Sequence, residues 1–437
     1  MKRVLILTYS FPPCLDSGMY RPLGFVRYLR QYNWEPVVVT VEERFHNFIF
    51  IDHESMNKVP AGVEIYRTKL PFECLQRFAS PHYQASQTVK STRTALRAWR
   101  MNVRKCLKKF DFLVPDFFIF WLPYVVRLLI SNKKIRRTDV VFSTSPPESV
   151  IVIGFVVSRL LGVPHVVDLR DAWTGEHFVH RKKWRIRNAF ESLMERFILK
   201  RASGVICVTD TMKKDYIKAY PCLQNKIITV TNGFDEGDMN VQETITLPKG
   251  SFVYTGFLFP ERNPYPFLSG LKELFEEGLV KRQEVKIYLV GIIWKEPEEM
   301  VEELGLQDVV LIKEQVPHRE SIAFQKAADV LLLFGTGSPC EMTGKIFEYL
   351  ASGRFIFALS RKGGEIDELL KKTGAGIVVD CDDKESIKKA FFDIVVKLRA
   401  GLLYSQHKLN NSVIAQYSRS SLTGQLARVF GTVVTAK

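Results

Sequence analysis

Thr343, Gly344, Lys345 and Glu348 are the residues whose types and spacing point most directly to a chemical role. They follow an apolar run at 328–334, which is typical of a buried strand, and a loop rich in Gly, Ser and Pro. Thr343 is suited to be the N-cap of the helix that follows. A helix N-terminus presents free N–H groups, and Lys345 adds a positive charge there, so the stretch predicts a phosphate site. Glu348, one helical turn further on, can accept hydrogen bonds from sugar hydroxyls, and the pair therefore suggests a nucleotide.

Spacing alone leaves open a second interpretation, in which Lys345 and Glu348 form an ordinary ion pair on a helix surface. The stretch 343–353 resembles the donor-binding segment of family 4 glycosyltransferases of the GT-B fold. In that family a Lys or Arg binds the nucleotide diphosphate and a Glu holds the ribose, which implies these roles for Lys345 and Glu348. Many members carry a second, earlier glutamate, with seven residues between the two. Here Cys340 occupies that position and Glu341 comes one residue late, so either Glu341 takes the sugar-contacting role through a shifted loop or the role is vacant.

The N-terminal stretch has a similar arrangement. A predicted strand at 4–8 leads into a loop that carries Gly18, then Arg21 and an amphipathic segment. Open α/β sheets bind ligands at the carboxyl ends of their strands, but the dinucleotide fingerprint G-x-G-x-x-G is absent from this loop. Family 4 members open in the same way, which implies that Gly18 approaches the donor and that Arg21 lies on the acceptor side. A plain structural turn is the alternative.

A second charged stretch, Asp168-Leu-Arg-Asp-Ala-Trp173, follows another predicted strand and matches a motif of the family's first domain. Buried charges are costly unless they are paired. We therefore expect Asp168 and Arg170 to be structural, with Arg170 pairing one of the two aspartates, and Asp171 to face the acceptor.

Further donor-site positions in the second half of the chain follow from the resemblance. Gly256 and Arg262 match the turn and the basic residue that contact the diphosphate, and the backbone at Val316 and His318 corresponds to the segment that reads the base. Breaking a sugar–phosphate bond leaves negative charge on the diphosphate. Cationic side chains and a helix N-terminus can stabilise that charge, so we expect neither a metal nor a cofactor. The catalytic candidates are Arg262, Lys345, Asp171 and Glu341.

The chain length and the alternation of strands with helices predict two domains. The 437 residues are too many for one core, and strands alternate with helices throughout, as in α/β proteins with parallel sheets. We expect a GT-B fold of two Rossmann-like, doubly wound domains facing a cleft. The predicted parts are an acceptor-side domain (1–235), a linker (236–250), a donor-binding domain (251–415) and a C-terminal helix that crosses back to the first domain (416–437).

Charge is unevenly distributed along the chain. The formal net charge is +15, and residues 1–250 hold 38 Lys and Arg against 23 Asp and Glu, whereas residues 251–437 hold 24 of each. Residues 84–110 combine apolar residues at helical spacing with eight positive charges, which suits an anionic membrane surface. A solvated core helix with a basic outer face is the alternative. An apolar set on one predicted helix is expected to face a core: Phe190, Leu193, Met194, Phe197 and Ile198.

Other protein classes are disfavoured by composition. The seven cysteines form no C-x-x-C pair, which fits reduced thiols in the cytoplasm, and no apolar run reaches the length of a membrane span. Nucleic acid is not expected as a partner, because no reader motif accompanies the positive charge.

The sequence therefore predicts a hexosyltransferase-like enzyme. It would move a sugar from a nucleotide-diphosphate sugar to a lipid-linked or cell-surface polysaccharide acceptor at the inner membrane face, and the resemblance implies retention of configuration. The alternatives are a degenerate nucleotide-sugar binding protein and a nucleotide-sugar 2-epimerase.

Overall fold

A computed structural model describes residues 1–14, 16, 18–43, 51–71, 114–174, 185–242, 244–293, 295–405 and 407–435. The basic segment 84–110 lies outside the described residues. The chain divides into two compact units, Met1–Thr231 with Arg419–Lys437, and Asn232–Ser418. In its described part no helix is both long and apolar enough to cross a membrane.

The described residues of the first unit form one parallel sheet. Its strands are β1 (Lys2–Thr8), β2 (Trp34–Val41), β3 (Glu64–Thr68), β4 (Val140–Ser145), β5 (His165–Leu169), β6 (Gly204–Cys207) and β7 (Ile227–Thr229). They lie in the order β3-β2-β1-β4-β5-β6-β7. The order changes direction between β1 and β4, which is where doubly wound sheets bind ligands. The half-exposed edge strand β3 carries Glu64 and Arg67 and gives no continuous apolar signal, so sequence analysis did not predict it.

Helices cover the sheet of the first unit. They are α1 (Tyr20–Tyr28), α2 (Leu122–Ser131), α3 (Ser149–Leu161), α4 (Arg185–Arg201) and α5 (Asp210–Ala219). Strand β1 is buried on both faces, as a central strand between helices must be, and Val4 to Leu7 are wholly inaccessible.

Helix α4 differs from the expectation that its apolar side chains face a core. Phe190, Leu193 and Phe197 have exposed fractions of 62%, 64% and 45%. The inward face holds Ile198, which is 2% exposed, and Met194, which packs partly against the core, as expected. It also holds Glu191 and Glu195, both 0% exposed. These carboxylates tolerate burial because Arg187 pairs with Glu191 at 2.7 Å and tyrosine hydroxyls donate to Glu195.

The second unit repeats the architecture. Its strands are β8 (Ser251–Leu258), β9 (Lys286–Ile293), β10 (Val310–Lys313), β11 (Val330–Phe334), β12 (Phe355–Leu359) and β13 (Gly376–Val379). Its helices are α6 (Glu236–Met239), α7 (Tyr265–Glu276), α8 (Lys295–Glu303), α9 (His318–Ala327), α10 (Lys345–Ser352), α11 (Glu365–Thr373), α12 (Lys384–Arg399) and α13 (Asn411–Ile414). The parallel order β10-β9-β8-β11-β12-β13 changes direction between β8 and β11. The loops after these two strands therefore meet at the predicted ligand position.

The segment predicted as a linker, 236–250, belongs to the second unit. Met239 is buried in that unit's core, and Val241, Ile245 and Leu247 pack against it. The C-terminal helix α14 (Arg419–Thr435) belongs to the first unit. Its Phe430 is buried there against Trp34 and Phe142, with ring centroids 5.3 and 5.6 Å away.

Candidate functional site

Helix α10 begins one residue later than the sequence suggested. Its N-cap is Gly344, not Thr343, and no side chain caps it. The Thr343 hydroxyl instead accepts a hydrogen bond from the backbone N–H of Lys345 at 3.3 Å. The space beside Gly344 is open, since a Cβ there would meet nothing within 4 Å. The N-terminus of α10 is thus open to an anion.

The Lys345 amine is the most unusual group of the second unit. Its Nζ is buried and has no hydrogen-bond partner among the described residues. It lies over the ring of Tyr254, 3.9 Å from the ring centroid, and a cation–π contact of this kind replaces only part of the lost hydration. Burial lowers the pKa of Lys345 well below its ordinary value, and the positive charge of Arg262 lowers it further. This is a donor without an acceptor.

Gly256 gives Lys345 the space it occupies. The backbone of Gly256 has φ +112, and a Cβ there would lie 2.6 Å from the Lys345 Nζ. A side chain at this position would meet both backbone strain and a collision. Gly256, for which the resemblance implies contact with the diphosphate, therefore also accommodates the Lys345 side chain.

Arg262 and Glu341 form a close pair beside Lys345. Arg262 Nη2 lies 3.0 Å from Glu341 Oε1, with side chains only 13% and 9% exposed. The other oxygen of Glu341 accepts from the backbone N–H of Thr336 at 2.6 Å and from its hydroxyl at 3.1 Å. Cys340, at the position of the missing glutamate, is buried. The structure thus places the Glu341 carboxylate in the cation cluster, held by Arg262 and the loop after β11.

Glu348 also has partners of its own. Its two carboxylate oxygens lie 2.9 Å from His318 Nε2 and 3.2 Å from Gln325 Nε2. Gln325 is fully buried, and the same Nε2 lies 3.1 Å from the Thr255 hydroxyl. The His318 side chain therefore orients Glu348, whereas the resemblance had implied only its backbone. Val316, just before α9, packs partly against the core.

In the first unit, Arg21 is buried. It forms two hydrogen bonds to Asp168, of 2.9 and 2.7 Å, and donates to the carbonyls of Val230 and Thr231 at 2.8 and 2.7 Å. The two side chains are 5% and 0% exposed. The guanidinium of Arg21 is thus used in linking β5 to the segment after β7, and a contact of Arg21 with an acceptor stays a prediction.

Arg170 pairs with no carboxylate by hydrogen bond in the described structure, contrary to expectation. It donates to three carbonyls, those of Ser145, Gly18 and Pro146, at 2.6 to 2.7 Å. A Cβ on Gly18 would lie 2.5 Å from Arg170 Nη1. Gly18 is thus required by the close approach of Arg170, which fixes the loop after β1 to the loop after β4.

Asp171 is exposed two residues after the end of β5, and its contact with an acceptor stays a prediction. Crowding by the protein desolvates its carboxyl and raises its pKa, while Arg170 opposes the shift. Hydrogen bonds to α4 hold the loop that carries Asp171. Glu195 of α4 accepts from the backbone N–H and hydroxyl of Thr174 and from the hydroxyl of Tyr216.

Three residues of these clusters escaped sequence analysis: Tyr254, Gln325 and Thr336. Gln325 had a detectable signal, because it is a polar residue among the buried positions Ile322, Ala323 and Phe324 of α9. Tyr254 and Thr336 resemble ordinary strand and loop residues. Among the described residues no group of three or more His, Cys, Asp or Glu side chains could hold a metal ion.

The chain has two doubly wound units, and Lys345 and Arg262 lie together at the switch point of the second one. This arrangement is that of the GT-B class of proteins. Residues 88–237 match the family model described as Glycosyltransferase Family 4, which confirms the resemblance seen in the sequence.

The chain is also similar to individual proteins of known sequence or structure. The UDP-Gal:alpha-D-GlcNAc-diphosphoundecaprenol alpha-1,3-galactosyltransferase of Escherichia coli is 28% identical over 169 residues, which are 36% of this chain and 42% of that protein. The matched part is thus less than half of this relative. Sucrose-phosphate synthase from Thermosynechococcus elongatus has a TM-score of 0.66 at 14% identity, with all of both chains covered. UDP-GlcNAc 2-epimerase from Methanocaldococcus jannaschii has a TM-score of 0.54 at 16% identity, covering 99% of this chain and 100% of that one. These structures confirm the predicted GT-B fold.

Proposed function

We propose that this protein is a retaining, metal-independent glycosyltransferase that moves a sugar from a nucleotide-diphosphate donor to a lipid-linked or cell-surface polysaccharide acceptor. The observation that carries the proposal is the buried Lys345 amine, which has no hydrogen-bond partner in the described part of the chain and lies beside the open N-terminus of α10. A diphosphate would supply the missing acceptor oxygens. The same charge would use the unpartnered Nε of Arg262.

The proposed reaction breaks the bond between the anomeric carbon and the diphosphate oxygen. The acceptor hydroxyl oxygen forms the new bond on the same face of the sugar, and its proton passes to the departing diphosphate. The side chains of Lys345 and Arg262 and the N–H groups of Thr343 and Gly344 stabilise the negative charge that develops. These fixed cations do what a metal ion would otherwise do. Glu348 holds the ribose and Glu341 contacts the donor sugar.

The acceptor is assigned to the first unit. Asp171 is exposed there, at the carboxyl end of β5. The Escherichia coli relative is named for a diphosphoundecaprenol-linked acceptor, and the positive charge of residues 1–250 suits an anionic or membrane-borne substrate.

A 2-epimerase is the second candidate, favoured by the structural likeness to UDP-GlcNAc 2-epimerase. The two activities differ in their products. An epimerase changes the sugar of the donor without any acceptor, whereas a transferase releases nucleoside diphosphate, faster when an acceptor is present. A binding protein would do neither.

The first experiment is calorimetric titration with UDP, GDP, ADP and their sugars in EDTA. We expect one nucleotide to bind the wild type, and Lys345→Ala to weaken that binding by about 10- to 100-fold, the effect of removing one charge-assisted contact. Lys372→Ala, which removes an exposed lysine of the same unit, is the matched control. Strong binding that survives Lys345→Ala, or that needs a divalent metal, contradicts the proposal.

A further inference from the structure

Helix α4 carries an apolar stripe that faces outward. The stripe consists of Ile186, Phe190, Leu193 and Phe197, which are 75%, 62%, 64% and 45% exposed. Steps of four, three and four residues place them on one face of the helix. Leu160, at the end of α3, is 61% exposed. It adjoins Arg159, whose guanidinium donates to the carbonyl of Arg201 at 3.3 Å. Contiguous apolar surface of this kind marks an interaction site.

The charges around this α4 stripe have one sign. Arg196, Lys200 and Arg201 are exposed, whereas both acidic side chains within residues 186–201 are buried. The Arg201 guanidinium lies 3.8 Å from the centroid of the Phe197 ring, so its charge is held at the edge of the stripe. Within residues 186–201 the apolar face is bordered by cations and no acid is exposed, which matches the interface of a bilayer with anionic headgroups.

The inner face of α4 connects this surface to the candidate acceptor loop. Glu195 accepts hydrogen bonds from Thr174, which lies three residues after Asp171, and from Tyr216. Tyr216 in turn accepts from the backbone N–H of Trp173 at 3.1 Å. The helix with the exposed stripe therefore also supports the loop that carries Asp171.

We propose that the α4 stripe and the neighbouring cations Arg196, Lys200 and Arg201 bind the first unit to an anionic lipid bilayer. The inference builds on the proposed function, because a lipid-linked acceptor resides in such a bilayer. A second copy of the chain fits this surface less well. A symmetric contact would bring the same three cations of each copy together without a neutralising acid.

The test uses the full chain and vesicles of phosphatidylcholine with or without phosphatidylglycerol. We expect sedimentation with the anionic vesicles, weakened by salt. The double substitution Phe190→Ser with Leu193→Ser lowers the partition coefficient about tenfold or more, and Arg196→Glu with Lys200→Glu removes the preference for anionic lipid. The matched control, Leu311→Ser with Leu402→Ser, changes two leucines of the second unit that are 42% and 45% exposed, and leaves binding within about twofold of wild type.

A second readout does not depend on the stability of the double variant. Leu193→Trp adds a fluorophore to the stripe, and we expect brominated lipid to quench the added fluorescence. Leu311→Trp is the matched position in the second unit and stays unquenched.

Each outcome decides the inference. Unchanged vesicle binding by the stripe variant overturns it and assigns any binding to another part of the chain. Light scattering that shows a dimer, dissolved by the stripe substitutions while vesicle binding persists, overturns it in favour of a second copy. Nucleotide binding, measured on the same samples, distinguishes failure of this inference from failure of the proposed function. A chain that binds nucleotide but no vesicles refutes only the docking surface, and stripe-dependent vesicle binding without nucleotide binding supports the surface and refutes the proposed function.

Discussion

At the scale of single residues, the proposed donor site contains groups that the folded chain leaves incompletely solvated. The Lys345 amine is buried over Tyr254 with no acceptor, and Arg262 is nearby. Holding an ammonium in such a place is costly, which is the physical cause of the lowered pKa of Lys345. A bound diphosphate would bring negative charge to the amine and so stabilise its protonated form.

Proton uptake on nucleotide binding follows from this. In the free protein the pKa of Lys345 lies well below its ordinary value, and a bound diphosphate raises it. Affinity is therefore full below the lowered pKa and falls as pH rises from there toward the pKa of the complex. Titration calorimetry in buffers of different ionisation enthalpy measures the protons taken up. Lys345→Gln is the control, and uptake of the same size by this variant would assign the proton to another group.

At the scale of elements, the site depends on how closely β8 approaches α10. Gly256 lies within β8 and Lys345 is the first residue of α10, so the strand has to lack a side chain where the amine lies. The loop after β11 contributes Thr336, which holds Glu341 toward Arg262. Two strands that flank the switch point thus supply the cations and their supports.

Gly256→Ala is expected to displace the Lys345 amine. The φ of +112 and the 2.6 Å approach predict a stability loss of about 1–3 kcal/mol and nucleotide binding weakened about tenfold or more. Urea unfolding and nucleotide titration measure the two effects. The control is Gly278→Ala, at φ +70 with nothing within 4 Å, which should lower stability by about 1 kcal/mol and leave affinity intact. Equal effects of both substitutions on affinity would contradict this account of Gly256.

At the scale of the whole molecule, each unit has its own sheet and its own core clusters. The first unit also contains a buried ion pair, Arg21 with Asp168, that joins β5 to the segments at 21 and 230–231. Its net contribution to stability is modest, because desolvation offsets much of the attraction, but removal of one partner leaves a buried charge alone.

Asp168→Asn is expected to destabilise the first unit by about 3–5 kcal/mol and to leave nucleotide binding by the second unit in place. Hydrogen exchange at β1, β4 and β5, compared with β8 and β11, localises the loss. Glu35→Gln is the control, because it breaks a pair with Arg30 in which both side chains are about a quarter to a third exposed, worth at most about 1 kcal/mol. Equal acceleration of exchange in both units would show that they unfold together.

The sequence by itself determined the order of the strands and helices, apart from the edge strand β3, and the candidate phosphate and sugar ligands Lys345 and Glu348. Both are local information: apolar runs and turn residues specify the elements, and carboxyl ends of parallel strands share one edge of a sheet. The family resemblance added roles that geometry does not assign.

Only the tertiary structure decided which charged groups are partners. Arg21 meets Asp168 across 147 positions and Arg262 meets Glu341 across 79, and such pairings depend on strand order, which no local pattern contains. The structure also decided that Phe190, Leu193 and Phe197 of α4 face outward while Ile198 faces the core. Periodicity detects an apolar face, but burial of that face depends on what packs against it, and here two paired glutamates occupy the inner side.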